Sequence, residues 1–245
     1  MKIEPLVFDT ETTGVDPLTA RIVTAYLGAL RANGEVQYGM DWVVDPGVEI
    51  PAGAAAIHGF TTERARSEAT ATPAVMIAQL HAIIEAECLV AGRPLAGYNL
   101  QYDLTLLEAE RVRHAPHIRA LPFCTQFTTD GIAVLDGYVI DKAIDRFRKG
   151  KRQLMFTAAH YGVALSEEEA HGAQSDAIAA GRLVQAQFRK PKLRGMSARD
   201  AHMSQIRWKA EQSASLQEWL RAKGGEPNAV VNPYWPRQQR SEDAA

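Results

Sequence analysis

The chain has 245 residues, enough for one good-sized domain with an extension or for two small domains. Hydrophobic residues make up 46% and charged residues 23%, a globular composition that excludes global disorder. The net charge of −2 excludes nucleic-acid binding through overall basicity, but the charge is unevenly distributed. Between residues 182 and 240 there are 12 Lys or Arg against four acids, so a basic C-terminal part follows an acidic N-terminal part.

The first predicted strand covers residues 5–8. Two more strands, at residues 21–31 and 36–44, are separated by a turn at residues 32–34 that contains Asn-Gly. Because Asn-Gly between two apolar segments is the strongest short hairpin signal, we predict that the first three strands form an antiparallel meander.

Helices and strands alternate in the next part of the chain. The predicted elements are helical turns at 54–57 and 61–67, a helix at 73–88, a strand at 94–98, a helix at 102–113, a strand at 131–135, short helices at 138–146 and 153–161, and a helix at 173–188. This order favours a single α/β domain over residues 1–190.

The composition changes after residue 190. A basic linker leads to a predicted helix at residues 198–222, with Ser197 and Asp200 as its expected N-terminal cap. An apolar, Pro-bounded segment at residues 230–236, here called the strap, and a polar tail follow. We therefore predict a basic helical extension over residues 191–245.

Cysteine usage and apolar runs bear on the compartment. Cys88 and Cys124 are too few and too far apart for a zinc knuckle or a disulfide framework, so two reduced, buried thiols are expected. Glu4 and Asp9 interrupt what would be the apolar region of a signal sequence, and no later run approaches the length of a membrane span. These features predict a cytoplasmic protein with no membrane partner.

Carboxylates occur at three places where a predicted core element meets a loop. Asp9 and Glu11 follow the first strand and point to the same side of an extended backbone. An isolated acid pair also fits a solvated exit from a strand. Whether this pair belongs to a functional site therefore depends on the acids at the other two places. Asp103 falls in the first turn of a helix after a buried strand, and Asp176 falls in the first turn of the helix that follows His171.

Four carboxylates and one imidazole fit two-metal phosphoryl-transfer chemistry. Mg²⁺ and Mn²⁺ prefer oxygen ligands and leave coordination sites for water and a substrate phosphate. Two such ions about 3.5–4 Å apart orient an attacking water and stabilise the leaving oxygen. A neutral His171 is suited to take the proton of that water near neutral pH.

The three motifs resemble those of the DEDDh 3′→5′ exonucleases, and among them proteins like the epsilon proofreading subunit of bacterial DNA polymerase III. Phe-Asp-Thr-Glu-Thr-Thr-Gly at residues 8–14 matches the first motif, Asn99-x-x-x-Asp103 the second and His171-x-x-x-x-Asp176 the third. The likeness extends over residues 3–188. It implies a ribonuclease-H-like α/β fold, in which a mixed sheet of an antiparallel three-strand meander extended by parallel strands is flanked by helices.

The resemblance implies a metal-dependent 3′→5′ exonuclease, expected to release nucleoside 5′-monophosphates from DNA 3′ ends during replication, proofreading or repair. Asp9, Glu11, Asp103 and Asp176 would hold two Mg²⁺ or Mn²⁺ ions, with Asp9 shared between them, and His171 would be the general base. The expected partners are nucleic acid with a free 3′ end, in particular single-stranded DNA, and a DNA polymerase.

Five residues are candidates for substrate contacts: Thr10, Thr12, Thr13, His58 and Asn99. The resemblance places the threonines beside the terminal nucleotide, where backbone donors can hold its 3′-hydroxyl. Asn99 belongs to the second motif. His58 lies in a stretch that resembles the loop after the third strand of these proteins, and it fits either a substrate contact or a brace for its loop.

Several alternatives stay open. An RNA 3′-end-trimming exoribonuclease of the same superfamily has the same motifs, because recognition of a 2′-hydroxyl depends on pocket shape. A non-catalytic polymerase-binding module is the rival from another class, although it has no chemical need for all four carboxylates and the imidazole. The basic run at residues 146–152 fits either a grip on phosphates or a solvated face. Asp136 fits an acid near the site or a helix cap, and Asp141 is expected on a solvated face.

Overall fold

The computed structural model describes residues 3–125, 127–128, 130–166 and 172–238. Its strands are β1 (Leu6–Thr12), β2 (Ile22–Leu30), β3 (Val36–Val43), β4 (Leu95–Gly97) and β5 (Val134–Asp136). They form one sheet in the order β3-β2-β1-β4-β5. The first three strands pair antiparallel, whereas β1, β4 and β5 run parallel. The predicted mixed sheet, with a meander extended by parallel strands, is therefore confirmed.

The described helices flank this sheet. They are α1 (Ala52–His58), α2 (Thr62–Ser67), α3 (Pro73–Ile84), α4 (Gln101–His114), α5 (Gly137–Ile144), α6 (Leu154–His160), α7 (Ala173–Gln187) and α8 (Ala198–Ala222), and a π-helical segment at Glu85–Val90 continues α3. The bounds of α8 are those predicted, and Ser197 caps it by accepting the backbone N–H of Asp200. Both cysteines are buried thiols, as predicted.

The central strand β1 is longer than predicted. Its pairing with β2 continues to Thr12, so Asp9 and Glu11 lie within the strand and not beyond its end. Helix α7 packs against β1 and β2. A Cβ atom on Gly181 would lie 2.3 Å from Val7 Cγ1, so glycine at this position allows α7 to approach the strand closely. This packing brings the first turn of α7 to the end of β1.

Helix α8 covers the outer edge of β5, which would otherwise present unpaired backbone groups. The Val134 N–H donates to His202 Nδ1 at 2.8 Å, and the Asp136 N–H donates to Gln205 Oε1 at 2.8 Å. Gln205 Nε2 in turn donates to the Val134 carbonyl at 3.0 Å. Trp235 of the strap is buried in the main core. The domain boundary at residue 190 stays a prediction, but residues on both sides of it share one core.

One stretch in the described part is long and apolar enough to cross a membrane by length and composition, the 18 residues Pro73–Val90. No run of this length was expected from the sequence. The core helix of a globular protein meets the same criterion. Five of its side chains are buried in the main hydrophobic core: Met76, Ile77, Leu80, Ile84 and Cys88.

Asp141, expected on a solvated face, is instead fully buried at 0% exposure. Its carboxylate accepts hydrogen bonds from Arg148 Nη2 at 2.9 Å, from Arg152 Nη1 and from the Tyr161 hydroxyl at 3.1 Å. A buried charge needs such partners. Two of the cations in the basic run at residues 146–152 therefore have a structural role.

Candidate active site

Three carboxylates meet at the end of β1. Asp9 and Glu11 are two residues apart on this strand, and Asp176 lies in the first turn of α7. One carboxylate oxygen from each residue lies within 4.8 Å of the others. The alternation of side chains along a strand explains the first pair, and the packing of α7 on β1 supplies the third member. All donors are carboxylate oxygens, which suits a hard divalent cation.

Asp103 lies beside this cluster, in the first turn of α4, and is only 5% exposed. Thr10 Oγ1 donates a hydrogen bond to Asp103 Oδ1 at 2.6 Å. The charge of Asp103 contributes to the raised pKa of Asp9, so the fourth carboxylate is within electrostatic range of the cluster. The structure thus brings together the acids of all three sequence motifs.

Burial and mutual repulsion raise the pKa values of these acids. Burial is the largest cause at Asp9, whose pKa lies well above its ordinary value, and the three neighbouring carboxylates add to it. Burial, followed by the charges of Asp176 and Asp103, raises the pKa of Glu11 to about 8. Burial also raises the pKa of Asp103 to about 7, against the opposing hydrogen bond from Thr10. A bound divalent cation would relieve this repulsion.

The metal-free protein should lose stability as the pH rises. The folded-state pKa values, about 8 for Glu11 and about 7 for Asp103, lie above those of an unfolded chain. The protonated acids therefore stabilise the fold at low pH, and this contribution is lost as the pH rises from about 4, the unfolded-state pKa, to about 8. In EDTA the melting temperature should fall over this range, by about 2–4 °C for each kcal/mol lost. Thermal melts followed by circular dichroism measure it.

The matched controls are Glu11→Gln, which removes one of the repelling charges, and Glu49→Gln, which changes an exposed acid elsewhere. The decline in melting temperature with pH should be smaller for Glu11→Gln than for wild type, and for Glu49→Gln it should equal that of wild type. Addition of Mn²⁺ to the wild-type protein at high pH should raise its melting temperature again. A pH-independent melting temperature in EDTA would contradict the assignment of the raised pKa values.

The threonine hydroxyls of the first motif are engaged inside the protein. Besides the bond from Thr10 to Asp103, Thr12 Oγ1 lies 2.9 Å from the Tyr102 hydroxyl. Thr13 Oγ1 accepts the backbone N–H of Arg21 at 2.9 Å. These hydroxyls shape the end of β1, so the predicted substrate contacts of the three threonines rest on their backbone. The Thr13 N–H is itself donated to the Arg21 carbonyl at 3.0 Å.

Functional roles were predicted from the sequence for two histidines, His58 and His171. His58 Nδ1 accepts the backbone N–H of Phe60 at 3.2 Å, so the ring braces its loop. Burial lowers the pKa of His58, and the adjacent backbone of Thr12 opposes this shift, which places the ring beside the first motif. His171 lies outside the described residues. Its position five residues before Asp176 in the sequence is what supports its predicted role.

Asp136 connects the second motif to the last strand. Its Oδ1 accepts the backbone N–H of Tyr138 at 2.9 Å, which caps α5 as one sequence alternative predicted. The same oxygen accepts the N–H of Asn99 at 2.9 Å. Asn99 has a φ of 57°, an uncommon left-handed conformation for a residue other than glycine. Asp136 therefore holds the turn that leads into α4 and Asp103, a role that was not predicted from the sequence.

Replacing Asp136 with Ala should destabilise the protein by about 1–3 kcal/mol, because two partly buried N–H groups lose the charged acceptor of their hydrogen bonds. Cleavage should also slow, since the turn before Asp103 is no longer held. Asp136→Asn keeps an oxygen acceptor and should retain most of the stability and activity. Urea denaturation and initial cleavage rates measure the two effects. An Ala variant with wild-type stability would show that these hydrogen bonds do not hold the turn.

The chain is similar in sequence and in fold to known exonucleases. The exonuclease family model RNase_T matches residues 6–184. A DNA polymerase III subunit epsilon-like protein of Rhodobacter capsulatus is 26% identical over 212 residues, which are 84% of this chain and 27% of that protein. The chain thus spans about a quarter of the length of this relative.

Structures of Escherichia coli exonuclease I are similar in fold. The complex with a dT13 oligonucleotide is 20% identical with a TM-score of 0.63, and the match covers 78% of this chain and 42% of that chain. The zinc-bound complex with single-stranded DNA is also 20% identical, with a TM-score of 0.62 and coverages of 79% and 42%. At this identity the likeness shows the fold alone.

Proposed function

The chain belongs to the RNase_T family of exonucleases as a DEDD-type 3′→5′ exonuclease, and from this membership we propose that it removes nucleoside 5′-monophosphates from single-stranded DNA. The observation that carries the proposal is the close approach of the Asp9, Glu11 and Asp176 carboxylates, with Asp103 beside them. Acids at these three motif positions are what phosphodiester hydrolysis by metal ions requires.

The roles of the chain's own residues follow from this arrangement. Asp9, Glu11, Asp103 and Asp176 would hold two Mg²⁺ or Mn²⁺ ions, with Asp9 contributing to both. When bound, the ions would supply the positive charge that orients a water molecule and stabilises the leaving oxygen. The Thr10 hydroxyl orients the Asp103 carboxylate through the 2.6 Å hydrogen bond.

The remaining steps use protein groups around the acids. His171 would accept the proton of the attacking water, since a neutral imidazole titrates near neutral pH. The exposed Asn99 and the ring of His58 are candidates to contact the terminal nucleotide, as is the backbone of Thr12.

DNA is proposed as the substrate because the names of similar proteins refer to it. The Rhodobacter relative is named as epsilon-like, and the solved neighbours hold deoxyribonucleotides. A role in proofreading or repair and a DNA polymerase partner rest on the same relative's name. The exoribonuclease alternative differs only in its substrate. A cytoplasmic location remains the expectation from the sequence.

Oligonucleotides of identical sequence in DNA and RNA form, each labelled at the 5′ end, test this proposal. With Mn²⁺, we expect a ladder of products shortened one nucleotide at a time from the 3′ end, formed faster from DNA. Chromatography should identify the released product as a nucleoside 5′-monophosphate. Internal fragments or release of the labelled end would overturn the proposed reaction, and faster cleavage of RNA would replace the proposed substrate.

A further inference from the structure

A groove of about 530 Å³ lies between the C-terminal end of α5 and one face of α8, and none of the four motif acids lines it. Six residues of α8 form one wall at helical spacing: Trp208, Glu211, Gln212, Ser215, Leu216 and Trp219. Gln212 Nε2 donates to the Val139 carbonyl at 3.0 Å and holds α8 against α5. The two helices that form the groove are therefore held in place by a specific contact.

The opposite wall is strongly basic, with Lys142, Arg146, Arg152 and Lys192. Arg152 is already bound to the buried Asp141. Lys192 Nζ donates to a backbone carbonyl of α5 and lies 5.3 Å from the centre of the Trp208 ring. In the described part of the chain, Lys192 forms no salt bridge.

Glu211 is the one carboxylate among the lining residues, and it lies 3.8 Å from Arg207, which offsets its charge. The ion pairs of the neighbouring basic run are made by Arg148 and Arg152. Within the described residues, Lys142 and Arg146 form no salt bridge, so the groove carries a net positive charge. Its electrostatic complement is a polyanion.

Helix α5 connects the groove to the second motif, with cations close by. The pKa of Lys142 is lowered by burial and by the neighbouring charges of Lys209 and Arg152, so these cations lie close together. Lys209 in turn is near enough to Asp136 for its charge to favour the ionised carboxylate. Asp136 binds the Asn99 N–H at the turn before α4. Asp136 also caps the start of α5, and the other end of this helix lines the groove, so α5 runs from the turn of the second motif to the groove.

An exposed aromatic side chain completes the groove. Trp219 is 55% exposed at one end of the α8 wall. Arg146 on the opposite wall is exposed as well. Cations that contact the backbone and an exposed ring on which a base can stack are the features by which proteins bind single-stranded nucleic acids.

We propose that this groove binds single-stranded nucleic acid upstream of the 3′-terminal nucleotide, with phosphates at Lys142 and Arg146 and a base stacked on Trp219. The inference rests on the proposed function, because it assigns a path to the strand whose end is cleaved. The groove would raise affinity for long strands without entering the chemistry, so very short substrates should not depend on it.

Binding of fluorescein-labelled dT20 to the full chain, measured by anisotropy in EDTA over a range of salt concentrations, tests the groove without cleavage. Arg146→Ala should weaken binding and reduce the slope of log affinity against log salt by about 0.7, as expected for one lost phosphate contact to a single strand. Trp219→Ala should weaken binding roughly 5- to 150-fold with no change in slope. Arg119→Ala, which removes an exposed cation elsewhere, should bind like wild type.

Cleavage of dT20 and of a trinucleotide, measured in Mn²⁺, separates the groove from the reaction. Both groove variants should raise the KM for dT20, leave kcat unchanged and cleave the trinucleotide like wild type. If the wild type cleaves dT20 and both variants bind it with wild-type affinity and slope, the groove inference is wrong and the proposed function stands. If the variants lose binding but the wild type cleaves nothing, the groove inference stands and the proposed function fails. Absence of dT20 binding by the wild type would overturn the groove inference.

Discussion

Asp9→Asn should reduce cleavage of a 3′ end by at least about 10³-fold, more than the loss of a single stabilising hydrogen bond in a typical active site. All three of the other acids repel the Asp9 carboxylate, and each of them raises its pKa. Asn is nearly the same size but cannot supply an anionic ligand to two ions. Initial rates with 5′-labelled single-stranded DNA in Mn²⁺ measure the effect.

The same substitution should not unfold the protein. In EDTA at pH 8 the Asn variant should melt at a higher temperature than wild type, because a buried charge that repels its neighbours has been removed. Asp130→Asn changes an exposed acid and should leave both rate and melting temperature unchanged. An Asp9→Asn enzyme with a rate within tenfold of wild type would show that Asp9 is not a shared metal ligand.

His171→Ala should slow cleavage by about 10²–10⁴-fold, the usual contribution of a general base. Metal binding should survive, because the proposed ligands are the four carboxylates. The rise in melting temperature on addition of Mn²⁺ should therefore equal that of wild type. Rates under single-turnover conditions and thermal melts with and without Mn²⁺ measure the two properties.

His117→Ala is the matched control, since His117 is an exposed imidazole in the loop after α4. It should cleave at the wild-type rate. If His171→Ala also cleaves at that rate, another group takes the proton of the attacking water. If it loses the Mn²⁺-dependent rise in melting temperature, the imidazole acts in metal binding and not as a base.

Much of the fold was predictable because its signals are local. Asn-Gly marks the hairpin between β2 and β3, and Ser197 with Asp200 marks the start of α8. The length of β1 was not predictable from its composition. Charged residues argue against a buried strand, yet pairing with β2 holds the backbone extended through Glu11 and Thr12.

The positions of the acids in the candidate active site were predictable, because the alternation of side chains along a strand and the starts of two helices determine where these acids lie. Asp9 and Glu11 share a side of β1, and the helix starts carry Asp103 and Asp176. The supporting contacts were not predictable. The bond from Asp136 to Asn99 spans 37 residues, and no sequence periodicity connects them.

The burial of Asp141 and the covering of the β5 edge by α8 also escaped prediction. Arg148 and Arg152 are near Asp141 in sequence, so their ion pairs looked like pairing on a solvated surface. The bonds from His202 and Gln205 to β5 span about 70 residues, and they depend on how the chain returns to the sheet edge. A helix with a basic surface gives no local sign of such contacts.

The most direct test of the metal-dependent exonuclease assignment is one time course of cleavage. Wild-type protein is mixed with 5′-labelled single-stranded DNA in Mn²⁺, and excess EDTA is added halfway. We predict a ladder that shortens by single nucleotides from the 3′ end and stops when EDTA is added. A ladder that continues to shorten in EDTA would contradict the assignment of Asp9, Glu11, Asp103 and Asp176 as ligands of catalytic metal ions.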